Sequence, residues 1–178
     1  MEQDKLKELK EAYIENTKKF TINDGGMFSH IAIFGLKIDS NQDGTLFIPV
    51  NDEFLSSPVG KETFEKIILP QIVSHIKKDY IVASAVWTSE AWIRTSDKLE
   101  TLHKDWQEIP IKKEALIMCF KDSDNDASVI IYDINRTGKK VTEDGDMIDT
   151  IELELTSTAT NGSVDPNGRL FDMLNLFF

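Results

Sequence analysis

The stretch Tyr80-Ile-Val-Ala-Ser-Ala-Val-Trp-Thr88 decides the fold. It is apolar or aromatic apart from Ser84 and Thr88, and charged residues bound it at Lys77-Lys78-Asp79 and at Glu90. A run this short and this continuously apolar predicts a central strand covered on both faces rather than a helix or a half-solvated strand. Ala115-Leu-Ile-Met-Cys-Phe-Lys121 is a second such run and predicts a second central strand.

Working outward, the N-terminal segment spaces Leu6, Leu9, Tyr13, Thr17 and Phe20 at three- and four-residue intervals among Lys and Glu. That spacing predicts an amphipathic helix within residues 1–22, stopped by Asn23-Asp24-Gly25-Gly26. The segments 28–39 and 45–50 flank a Gly-containing polar turn and read as a β-hairpin. Residues 61–78 carry Phe64, Ile68, Ile72 and Ile76 on one helical stripe, with Pro70 inside predicting a kink or restart near Leu69. Strands are expected over 128–136 and over 148–156, where Ile151, Leu153 and Leu155 alternate with Glu152 and Glu154. The closing Leu170, Leu174 and Phe177 predict a short docking helix within residues 165–178.

These elements define an α+β fold as one domain over residues 1–178. A mostly antiparallel sheet of five to six strands carries the N-terminal helix and a second helix after the first hairpin. The helices are expected mainly on one face.

The 178 residues carry 31 acidic and 20 basic side chains, a net charge of −11. The mean hydropathy is −0.28 and the isoelectric point about 4.7. This balance opposes binding to nucleic acid or anionic membrane, which clustered Lys and Arg drive. Residues 121–166 alone hold eleven acids against four bases, a net −7. Asp122, Asp124, Asp126, Glu152 and Glu154 therefore form a candidate surface for a basic protein, set against the plainer reading of a solvated face. The polar opening Met1-Glu2-Gln3-Asp4-Lys5 and the single cysteine, Cys119, lead us to expect a reducing, cytoplasmic setting.

No phosphate-binding glycine loop, nucleophile elbow or zinc-ligand spacing occurs, and no cofactor is expected. Cys119 sits in an apolar run and reads as structural, and His30 reads as a partly buried, hydrogen-bonded histidine. Asp39, Asn41 and Asp43 match the first half of a calcium loop, but Val50 stands where the closing Glu belongs, so the segment reads as a turn.

All three tryptophans, Trp87, Trp92 and Trp106, fall within twenty residues. Trp87, Glu90, Trp92, Arg94 and His103 form a candidate pocket at the end of the central strand. There Glu90 would serve as acid or base, Arg94 or His103 would bind an anion, and tryptophan would stack a planar group. The plainer reading, which we favour, puts the tryptophans in the core and pairs Glu90 with Arg94.

The run ending in Ser89-Glu90-Ala91-Trp92, followed by Glu114 before an apolar strand, resembles a loose family of small uncharacterised bacterial and phage-borne proteins. The resemblance implies no activity. The expected function is that of an accessory or regulatory binding protein, an acidic interaction module. The alternative is an enzyme or small-ligand binder centred on Glu90, Trp92, Arg94 and His103. A third possibility is self-association through residues 170–178.

Overall fold

The computed structural model describes residues 1–95, 111–160 and 169–178. Helix α1 (Gln3–Asp24) leads into the hairpin β1 (His30–Lys37) and β2 (Gln42–Pro49). Short helices α2 (Asp52–Leu55) and α3 (Pro58–Thr63) follow, then a π-helical turn at Phe64–Ile68 and α4 (Leu69–Asp79). The long strands β3 (Tyr80–Thr95), β4 (Ile111–Asp122), β5 (Ala127–Val141) and β6 (Met147–Thr160) precede the closing α5 (Arg169–Asn175).

The six strands form one curled antiparallel sheet in the order β2-β1-β3-β4-β5-β6. The predicted α+β class and antiparallel sheet hold. β3 lies centrally between β1 and β4, as its unbroken apolar run requires.

One part of the expectation changes. Because β1 and β3 are apolar on both sides, helices bury both faces, and α1 lies opposite α4. Ile31, Ile33, Ala85 and Trp87 face α4 and α5, where Leu69, Val73, Leu174 and Phe177 close the core. Ala32, Phe34, Val86, Leu116 and Met118 face α1 and meet Tyr13. The buried stripe of α1 is Tyr13, Thr17 and Thr21, and Phe20 turns outward.

Local chemistry explains the breaks. The α1 chain stops at Gly25, whose φ of 72° suits glycine; a Cβ there would sit 2.9 Å from the Asp149 backbone N. Pro70 has no N–H to give the preceding turn, and the π-helical turn directly upstream absorbs the offset, with Leu69 N–H reaching back to Phe64 O. Gly35 lies where β1 and β3 shift register; a Cβ would meet Ile81 O at 2.7 Å. Among the described residues, no helix is long and apolar enough to cross a membrane.

Candidate functional site

Among the described residues a concavity lies between α1 and the β1–β2 hairpin, a groove of about 660 Å³. It forms because α1 docks over the β1-to-β6 part of its sheet face and leaves Thr45 and Phe47 of β2 exposed beside it. Register places Phe47 of β2 opposite Ala32 and Thr45 opposite Phe34, so these β2 side chains stand on the α1 face as the far bank. Phe20, Phe28 and Phe47 edge the groove at 55%, 56% and 55% exposure.

The floor is polar and closed on itself. The His30 ring nitrogen Nδ1 donates to Phe28 O at 3.0 Å, so in the neutral ring Nε2 accepts from the Tyr13 hydroxyl at 2.7 Å. With its proton spent, the Tyr13 oxygen accepts from Thr88 Oγ1 at 2.5 Å. His30 and Thr88 are direct cross-strand partners, so strand register creates this chain. Burial pushes Tyr13 up to about 12 and holds His30 below its ordinary value. Tyr13 also packs edge-on to Phe34 and Phe120, and lies stacked against Phe47 at 6.2 Å. A high-pKa phenol and a neutral imidazole that satisfy one another orient the floor and do not supply a ready proton at neutral pH.

The end of the groove is fixed from behind by Arg136. Its Nε and Nη2 make a bidentate pair with Glu114, each at 2.8 Å. Nη1 donates to Gly25 O at 2.9 Å and to Asp149 at 2.8 Å, and Nη2 reaches Glu90 at 3.1 Å. All five guanidinium N–H groups are thereby used. The second Glu90 oxygen accepts Met27 N–H at 2.6 Å, and Met27 lines the groove. Desolvation, reinforced by Glu114, lifts Glu90 above its ordinary value even though Met27 and Arg136 favour its charged form.

The residues singled out from sequence are therefore distributed. Glu90 pairs with Arg136, not with Arg94. Trp87 lies on the opposite face from Glu90, buried against Phe64, with Nε1 donating to Ser89 Oγ at 3.0 Å. Trp92 is 60% exposed and stands across from Glu114. Arg94 lies in β3 opposite Lys112, and His103 and Trp106 fall outside the described residues. Cys119 is buried, and burial raises its thiol to about 12.

Asp122 is held by Lys10 at 2.5 Å, and Asp124 accepts Asp126 N–H at 3.3 Å across the β4–β5 turn. Glu152 and Glu154 are exposed on the edge strand β6. Asp39 lies in the hairpin turn, Asn41 takes a φ of 51°, and Asp43 pairs with Leu36 inside β2. Among the described residues, no three His, Cys, Asp or Glu side chains gather for a metal ion.

Sequence reading missed the groove, Arg136 and the Tyr13–Thr88 link. The available signal was His30 opening an apolar strand, and one Arg within the acidic stretch 121–166. Comparison with known protein families, curated proteins and solved structures finds no match to this chain.

Proposed function

We propose that this protein works by binding, and that the groove between α1 and the β1–β2 hairpin is its ligand site. One observation carries the reading: a concavity of about 660 Å³ walled by aromatic side chains over a buried, internally satisfied polar floor. Small-molecule sites are typically about 300–1,000 Å³, apolar, and fitted with few polar groups. The lone buried thiol of Cys119 suits a reducing, cytoplasmic setting. The test is a fluorescence titration with 8-anilinonaphthalene-1-sulfonate on the wild type and on Thr45→Trp, which fills the groove from exposed β2. Saturable binding lost in the folded variant supports the site; equal binding by both proteins removes it.

A second reading, capture of a basic protein by the acidic C-terminal strands, draws on a different observation. Asp133 faces Glu154 across β5 and β6, and its Oδ2 pairs with Lys113 at 2.6 Å while, among the described residues, its Oδ1 is buried with no hydrogen-bond partner. Glu152 and Glu154 are exposed on the edge strand β6, within a stretch that carries a net −7 over residues 121–166. Asp124→Asn, Glu152→Gln and Glu154→Gln together should weaken binding of a polylysine probe and flatten its salt dependence. Unchanged binding would leave these acids as a solvated face.

A further inference from the structure

We propose that the groove selects an aromatic monocarboxylate, with its ring among the phenylalanines and its carboxylate at Lys19. This rests on the reading of the groove as a ligand site. The argument begins with charge. The chain has 31 acidic side chains, yet the groove lining contains no carboxylate and one cation, Lys19. Among the described residues, Lys19 has no ion-pair partner, whereas its neighbour Lys18 is held by Glu15 at 2.8 Å. One cation outside any close ion pair, with Glu15 acting on it along α1, complements a single negative charge beside an apolar cavity and provides no second cation for a dianion such as a phosphate monoester.

The position of the polar groups sets the ligand's orientation. His30, Tyr13 and Thr88 spend their hydrogen-bonding capacity on one another, so the floor has little to give a charged head group. Asn16, Lys19 and Asn23 recur along one side of α1, and all three line the groove. They stand at the exposed edge, where a carboxylate can accept from Nζ and from an amide while it keeps part of its hydration. The ring belongs along the aromatic banks. Phe20, Phe28 and Phe47 are each more than half exposed, and Tyr13 stacks against Phe47 at 6.2 Å between α1 and β2.

Titration of the whole protein with 1-naphthaleneacetate and its uncharged match, 1-naphthaleneacetamide, tests the assignment by intrinsic probe fluorescence. The acid should bind about fivefold more tightly than the amide, the scale of one partly exposed charged contact. Lys19→Gln, an exposed helix substitution, should bring the acid down to the amide's affinity and leave the amide unchanged. Thr45→Trp should abolish both, and Phe47→Ser at a half-exposed position checks the same wall if the first variant does not fold. Equal binding of acid and amide, unaltered in Lys19→Gln, would overturn the carboxylate pairing and leave the groove as a site. Failure of both probes to bind the wild type would overturn this inference together with the ligand-site reading beneath it.

Discussion

Glu90 and Arg136 meet at 3.1 Å across β3 and β5, and the same Glu90 carboxylate holds Met27 N–H at 2.6 Å on its other oxygen. One side chain thus joins the ionic cluster of the sheet to the loop that ends the groove. Arg136 adds the second tie through Gly25 O. The loop after α1 is shaped by the sheet as well as by its own glycines.

Arg136→Met should be the most costly single change in this cluster. It leaves Glu90, Glu114 and Asp149 facing one another without their shared cation. Because the Arg136 side chain keeps 30% exposure, we expect about 2–3 kcal/mol lost, below the cost of breaking a fully buried pair. Urea unfolding measures it, and a shift no larger than that of Lys66→Met, whose salt bridge is exposed, would refute a central role for the cluster.

Tyr13 and Thr88 should be energetically coupled. Tyr13→Phe strands His30 Nε2 and the Thr88 hydroxyl, at about 1–3 kcal/mol for buried polar groups left unpaired. In a double-mutant cycle with Thr88→Val, the two losses should overlap by about 1 kcal/mol. Strict additivity would show that the 2.5 Å contact carries no coupling.

Stability should fall in mild acid through His30. Burial lowers its folded-state pKa below the ordinary 6.5. Above pH 6.5 neither state holds the proton and the group contributes nothing to the pH dependence. Below it the unfolded chain takes up a proton that the folded chain resists, so stability drops until the folded pKa is passed. The loss between pH 7.5 and 5.5 should be smaller in His30→Gln; matching slopes for the two proteins would rule this source out.

Cys119 should be silent in the native protein. Its thiol is pushed up to about 12 by burial between the sheet and α5, and the thiolate is the reactive form. At pH 8, 5,5′-dithiobis(2-nitrobenzoate) should label it only as fast as the protein opens, and at once in urea. Immediate native labelling would mean that the surrounding core is not closed.

Much of this architecture is legible in the sequence. YIVASAVWT specifies a buried central strand because every position is apolar or small, and Pro70 marks its own irregularity because it lacks an N–H. The Asn23–Gly26 stop is equally local, since Gly25 takes the left-handed conformation that ends α1. Glu90 was identifiable as a notable carboxylate, but its partner was not. Arg94 is four residues away in the chain, whereas Arg136 reaches Glu90 only after β4 and β5 stack beside β3 in register.

The sequence by itself determined the main element types, the antiparallel pairing of the later strands and the acidity, because periodicity, proline, glycine and charge act within a few residues. Tertiary structure alone decided which face α1 covers, that β2 stays bare beside it, and that Tyr13, His30 and Thr88 share protons. Those outcomes depend on register and helix placement, which follow from packing the whole sheet rather than from any one segment. The groove exists for the same reason: its banks come from α1 and β2, and neither encodes the gap between them.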